Sequence, residues 1–193
     1  MTARVFVNNL SAVIVFSYYN IEMFTSPVKN LKALELRDND IVADLGAGTG
    51  FYSVPLGVMV PKGKVYAVEI NKDFLMTIKN KVEEAHLNNV EIIWGNIEKL
   101  GGTKIQDSVV DAVVASNVLF QVESKEQFIL EVKRILKPEG KALLIDWSES
   151  SIMGGTAIVP KNKAREMFEK KGFIFERDIN AGEHHYGMIL IKP

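Results

Sequence analysis

The stretch Asp44-Leu45-Gly46-Ala47-Gly48-Thr49-Gly50 is where this chain gathers residues suited to chemistry. It follows a short apolar run, IVADL at 41–45, and precedes a helix-like run. Glycines at alternate positions let the backbone turn tightly and let a ligand come close to the main chain. The helix that follows offers unsatisfied N–H groups and a positive dipole end to an anionic ligand group. Glu69 closes the next apolar run, 19 residues after Gly50. A carboxylate at that place can accept hydrogen bonds from both hydroxyls of a ribose. These types and spacings imply an adenosine-containing cofactor lying across the carboxyl ends of the strands.

The spacing separates two cofactor classes. The dinucleotide fingerprint is G-x-G-x-x-G, whose third glycine permits close helix packing. Here the glycines run G-x-G-x-G, and Phe51 stands where the third would be. This argues against a nicotinamide oxidoreductase, and preferential binding of NAD would revive that reading.

Other reactive residues are sparser. There is no cysteine, which excludes disulfide scaffolds, cysteine nucleophiles and thiolate zinc sites. His184, His185 and Tyr186 adjoin one another. One of them could act as a base near an acceptor, but a polar strand start is the plainer reading. Successive strand side chains point to opposite faces, so the two histidines are a poor pair for one metal, and no metal site is expected. Asp146, Trp147 and Glu149 fall at the end of a strand, where open α/β sheets bind ligands. Tyr18, Tyr19 and Phe24 could form a lid or pack an N-terminal helix. The basic run Lys161, Lys163, Arg165, Lys170 and Lys171 is interleaved with Glu166 and Glu169 and reads as a solvated helix face.

The elements that position these residues alternate. Apolar runs at 41–45, 64–70, 90–94, 109–116, 141–147, 173–179 and 184–191 read as strands. Helical patterns fall at 51–59, 72–86, 125–136 and 161–171. In the second, Phe74, Ile78 and Val82 lie four apart, widened by Leu75 and Ala85, with Asn71 as N-cap. In the third, Phe128, Ile129, Val132, Ile135 and Leu136 share a face, and Ser124 with Gln127 has capping-box spacing. Lys137-Pro138-Glu139-Gly140 stops that helix. Strand–helix alternation predicts an α/β, doubly wound, mostly parallel seven-stranded sheet. The four-residue gap 180–183 predicts a closing hairpin, hence an antiparallel last strand.

The 193 residues argue for one folded domain. Hydrophobic residues at 47% and charged residues at 24% are ordinary for a globular protein. A net charge of −1, from 23 basic and 24 acidic residues, disfavours nucleic acid as a partner. No apolar run reaches the 18 or so residues of a membrane helix. The apolar stretch 5–19 is interrupted by Asn8, Asn9 and Ser11 and lacks a small-residue cleavage site, so a packed N-terminal element is expected rather than a signal peptide. The reading is a cytoplasmic protein with 1–37 as an N-terminal segment able to act as a lid and 38–193 as the cofactor-binding domain. A homodimer is compatible with it.

At these residues the chain resembles the class I S-adenosylmethionine-dependent methyltransferases. VADLGAGTG (42–50) resembles the family's first motif, and VYAVEI (65–70) its second-strand motif. WGNIEKL (94–100) resembles the adenine-pocket segment, DAVVASNVLFQVE (111–123) the fourth-strand motif, and ILKPEGKALLID (135–146) the approach to the fifth strand. The resemblance covers about 30–193 and is nearest to small, stand-alone proteins of the ubiquinone/menaquinone-biosynthesis type. It implies a Rossmann-like fold, S-adenosyl-L-methionine as cofactor and methyl transfer by in-line displacement. It implies that Gly46, Ala47 and Gly48 contact the methionine portion through the backbone and that Asp44 sits near its amino group. Glu69 would bind the ribose, and Ile70 would flank the adenine. Asn96 and Ile97 would line its pocket, and Ser116 with Asn117 would face the cofactor from the fourth strand. Asn96 departs from the aspartate common there. The catalytic residues and the acceptor do not follow from the resemblance; a small molecule is expected first and a protein side chain second. A non-catalytic cofactor-binding module, or a subunit of a methyltransferase complex, is the other reading.

Overall fold

The computed structural model describes residues 26–150 and 158–193. The lid residues Tyr18, Tyr19 and Phe24 and the Gly154-Gly155 stretch lie outside them. In chain order the elements are α1 (Pro27–Leu31), a 3-10 turn (Lys32–Leu34), β1 (Ile41–Leu45), α2 (Ser53–Met59), β2 (Lys64–Glu69) and α3 (Lys72–Glu84). There follow β3 (Val90–Trp94), β4 (Val110–Ser116), α4 (Lys125–Ile135), β5 (Leu136–Trp147), α5 (Lys161–Lys170), β6 (Ile174–Ile179) and β7 (His185–Ile191).

The seven strands form one sheet in the order β3-β2-β1-β4-β5-β7-β6. Pairs β1–β2, β2–β3, β1–β4 and β4–β5 are parallel, while β7 runs antiparallel to both β5 and β6. The order reverses between β1 and β4, the switch point at which open α/β sheets leave a crevice. The doubly wound sheet and its antiparallel last strand agree with the pattern of the sequence.

Alternation along the strands builds a core on each face. Ala43, Leu45, Val113, Leu144 and Met188 meet Phe128, Ile129, Val132 and Phe168 of α4 and α5. Val42, Val65, Val114, Leu143 and Ile189 meet Leu31, Leu34 and Leu56 on the other side. Residues 27–34 are thus part of the core, since Leu31 and Leu34 are buried among strand residues. No helix among the described residues is long and apolar enough to cross a membrane.

Three local expectations are corrected. In α3, Ile78 and Val82 are buried, but Phe74 is 39% exposed and Ala85 lies outside the helix and is exposed. Phe74, in the first turn of the helix, lines a cleft at the strand ends instead of the core. The capping box at α4 does not form: the Ser124 side chain makes no cap hydrogen bond, and its N–H donates to Glu98 instead, at 2.8 Å. The fifth strand begins at Leu136 rather than at 141, because Leu136 already pairs with Val110 before the register shifts. Asn71 caps α3 as expected, accepting from the Asp73 N–H at 3.0 Å.

Candidate functional site

The turn after β1 is tied to β2 by its own amides. The N–H groups of Gly46 and Ala47 both donate to the Val68 carbonyl, at 2.9 and 3.0 Å. The Gly48 N–H donates to Glu69 Oε2 at 2.8 Å. Gly46, Gly48 and Gly50 have φ of 71, 53 and 82°, the left-handed region that favours glycine. At Gly46 a Cβ would also lie 2.6 Å from Val118 Cγ2. Four amides of this loop are spent within the fold, since the Gly50 N–H donates to the Ala47 carbonyl at 2.9 Å, and the Thr49 carbonyl accepts from the Lys81 ammonium at 2.8 Å.

Glu69 ends β2 and is 7% exposed. Its Oε1 accepts from the N–H groups of Ile70 and Asn71, both at 2.8 Å. With Gly48 on Oε2, three of the roughly four acceptor positions of a carboxylate are filled. The carboxylate is oriented by backbone alone and keeps acceptor capacity on the Gly48 side.

Asp44 sits beneath the turn, 2% exposed, and accepts from the Ser53 hydroxyl at 2.5 Å. Burial pushes its carboxyl up to about 7, although the Ser53 hydrogen bond opposes this, and the Glu69 charge adds to the rise. Ser53, the first residue of α2, is fully buried. Between pH 4 and 7 the folded chain holds a proton that the unfolded chain has lost, so this group withdraws stability as pH rises through that window. Asp44→Asn removes the charge and keeps an acceptor for Ser53. We expect this variant to be more stable than the parent by about 2 kcal/mol at pH 8, since a tenfold change in proton affinity is worth ~1.4 kcal/mol and the added NH₂ offsets part of the gain. The gain should vanish by pH 4; denaturant unfolding at both pH values checks this, and equal stability at pH 8 would contradict it.

A cleft of about 280 Å³ opens beside the turn. Of the residues singled out from the sequence, Gly46, Gly48, Glu69, Ile70, Asn96 and Ile97 line it. Ala47 packs instead against Ile78 and Val82 under the loop. Asp44, Ser116 and Asn117 do not line the cleft. Val68, Phe74, Gly95, Glu98, Val118, Gln121 and Val122 complete the wall; all but Phe74 fall within the segments 65–70, 94–100 and 111–123 that carry the resemblance, though none was singled out there.

The far wall is the loop 95–103, held from behind by Glu131 of α4. Glu131 is fully buried and accepts from the N–H groups of Gly101 and Thr103, at 2.8 and 3.1 Å, and from the Thr103 hydroxyl at 2.6 Å. Arg134 donates to both its oxygens at 2.8 Å and also reaches Asp107. Asn96 Oδ1 accepts from the Glu98 N–H at 2.8 Å. A backbone N–H can only donate, so this bond fixes which side-chain atom is the oxygen. Trp94, 52% exposed, stands at the rim, its indole donating to the Ile70 carbonyl, with the Lys72 and Lys104 ammonium groups 4.7 and 5.4 Å from its ring.

Beyond β4 the same sheet edge carries unpaired polar atoms. Asn117 has φ 56° and its N–H donates to the Ile145 carbonyl. Its Oδ1 is buried, as are His184 Nδ1, His185 Nε2 and the Tyr186 hydroxyl, and none of these has a hydrogen-bond partner among the described residues. Asp146 accepts from the N–H groups of Trp147 and Phe120, at 2.8 and 3.1 Å, and burial still raises its carboxyl to about 6. Glu149 lies beyond the strand end and is exposed. Of the basic run, Arg165 pairs with Glu169 and Lys163 and Lys170 pair with Glu166 within α5, whereas Lys161 reaches Asp178 of β6 and Lys171 reaches Glu126 of α4.

A family model described as a methyltransferase domain matches residues 36–182. The chain is similar to a demethylmenaquinone methyltransferase of Listeria welshimeri, 31% identical over 127 residues, which are 65% of this chain and 52% of the relative. A protein of the same description from Bacillus mycoides is 28% identical over the same shares. The chain thus spans about half the length of the curated relatives it matches. Among solved structures, a SAM-dependent methyltransferase from Aquifex aeolicus is 25% identical with a TM-score of 0.81, covering 96% of this chain and 99% of that one.

Proposed function

The chain belongs to the S-adenosylmethionine-dependent methyltransferases, whose domain model it matches over three quarters of its length, and on that premise we propose that it transfers the cofactor's methyl group to a small-molecule acceptor. The observation that carries the reading is Glu69 beside Gly48 at the switch point of the sheet, a carboxylate with acceptor capacity set against a left-handed glycine turn. The residues present fit an adenosyl group joined to an amino acid. Glu69 would take the ribose hydroxyls. Ile70, Asn96 and Ile97 would enclose the adenine. The carbonyls of Gly46, Ala47 and Gly48, with Asp44 below them, would receive the cationic amino group. Ser116 and Asn117 would face the reacting end from β4.

The bound cofactor supplies a methyl group already made electrophilic by its sulfonium. The chain's share of the work is to hold donor and acceptor in line and to exclude water, which can contribute about 7–11 kcal/mol. The curated relatives carry the description demethylmenaquinone methyltransferase, which supports a planar, quinone-like ring as the acceptor. A cytoplasmic site of action belongs to the same reading.

Titration calorimetry tests the proposal. One-to-one binding of S-adenosylmethionine and S-adenosylhomocysteine, with no heat from NAD, is the expected result. Binding of NAD alone would replace the reading with a dehydrogenase.

A further inference from the structure

Large apolar side chains are unevenly spread over the surface. Nine are exposed among the described residues, and five of them, Ile70, Phe74, Met76, Trp94 and Leu100, fall within 70–76 and 94–100. The sheet brings these two segments together, since Glu69 and Trp94 are register partners at the ends of β2 and β3. Ile70 and Trp94 line a hollow of about 320 Å³ with Gly95, Asn96, Gly102 and Lys104. Met76 stands one turn along α3 from Lys72, whose ammonium lies over the Trp94 ring. Leu100 is held out by the loop 95–103, which Glu131 pins at the Gly101 and Thr103 amides. Apolar exposure gathered in this way marks an interaction surface.

The charges around the patch name its partner. Lys72, Lys99 and Lys104 are exposed, and none has an ion pair among the described residues, whereas nine other lysines do. The carboxylates of 70–76 and 94–104 are Asp73 and Glu98. Glu98 turns inward and accepts from the Ser124 N–H. Glu91 projects from the other face of β3 and pairs with Lys64. Three lysines against Asp73 leave two net positive charges, on a chain whose net charge is −1. The cores of protein interfaces favour arginine and are poor in lysine; these two segments hold three lysines and no arginine. Tryptophan beside lysine, each with an apolar body and a polar tip, is the pairing found where lipid meets water. The Trp94 N–H is already satisfied by the Ile70 carbonyl, so the ring can enter a less polar layer without stripping a donor.

We propose that this patch docks the protein on an anionic lipid surface. Trp94, Leu100 and Met76 enter the headgroup layer, and Lys72, Lys99 and Lys104 lie against the lipid phosphates. The protein then rests on the bilayer without spanning it, with the ends of β2 and β3 towards the lipid.

Cosedimentation of the full chain with vesicles tests this. One set is phosphatidylcholine alone; in the other about a third of the lipid is phosphatidylglycerol, which carries the negative charge. Each net lysine charge beside an anionic surface contributes roughly fivefold, so the parent should prefer the anionic vesicles by about 25-fold. The preference should fade between about 0.1 and 0.5 M salt as screening shortens. Lys72→Gln combined with Lys104→Gln should abolish it, while Lys163→Gln combined with Lys170→Gln, on α5, should leave it intact. Leu100→Ser should weaken binding to both kinds of vesicle by about fivefold, the contribution of a partly buried leucine. All three variants should melt with the parent. Equal binding of the parent to both vesicles, a preference that survives the Lys72 and Lys104 changes, or one lost equally in the α5 variant overturns the proposal. A parent that ignores vesicles but self-associates, and is monomeric as Leu100→Ser, overturns it too and gives the patch to a second copy of the chain.

Discussion

Glu69→Ala weakens S-adenosylmethionine binding by at least about tenfold, as the charge-assisted hydrogen bond left for the ribose, about 1.5–3 kcal/mol, is removed. The expected loss exceeds that of any neighbouring substitution because Glu69 does two things. Its carboxylate is the acceptor offered to the ribose, and it holds the Gly48 amide that shapes the turn after β1. Glu69→Gln should be nearly as damaging. The side-chain oxygen would stay with the Ile70 and Asn71 amides, which turns the NH₂ towards the Gly48 N–H, donor against donor. Stability should change little, because Ile70 is 59% exposed at the strand end and water can reach the amides released there. Calorimetry on the variant decides the matter: an affinity within threefold of the parent would remove Glu69 from the cofactor site.

The largest effect on stability is expected at Glu131, which touches no ligand. Glu131→Ala strands the amides of Gly101 and Thr103 and takes from Arg134 its buried partner. Breaking a buried pair from one side costs about 3–5 kcal/mol. Arg134 keeps Asp107 and is itself 19% exposed, so the lower end, about 3 kcal/mol, is expected. For a chain of this size that lowers the melting temperature by roughly 6–12 °C. The cofactor should still bind the folded variant, but more weakly, since Asn96 and Ile97 lie on the loop that Glu131 anchors. A melting temperature within 2 °C of the parent would show that the loop holds itself. Glu131→Gln, which keeps the shape and an acceptor for the two amides, should fall between the two.

The strand–helix alternation was legible because each strand is a short apolar run and each long helix carries its stripe. Glu69 and the glycine turn were legible because local order alone brings them together: β1 and β2 are adjacent and parallel, so consecutive strand ends must meet. The rest depends on distance along the chain. Glu131 looks like any helix-surface charge, and its partners Gly101 and Thr103 lie 30 and 28 residues away in a loop without pattern. Ser53 is one more polar residue near a helix start until α2 folds it over Asp44. Phe74 obeys the helical period, which by itself points the ring into the core; its place in the first turn, beside the strand ends, puts it at the cleft instead. The histidine pair reads as a polar strand start, and no pattern shows that the nitrogens of His184 and His185 would be buried without partners.

The two tryptophans of the chain stand along the carboxyl ends of the parallel strands, Trp94 closing β3 at the sheet's margin and Trp147 closing β5. Four strand spacings, about 19 Å, separate them. Their surroundings differ: Trp94 is half in solvent beneath two ammonium groups, whereas Trp147 lies against a neutral imidazole. The protein therefore carries two intrinsic fluorophores of different colour, the solvated one emitting further to the red. With either indole replaced by phenylalanine, light from the other reports one half of the crevice alone, so the order in which its two halves fill can be timed without attaching a dye.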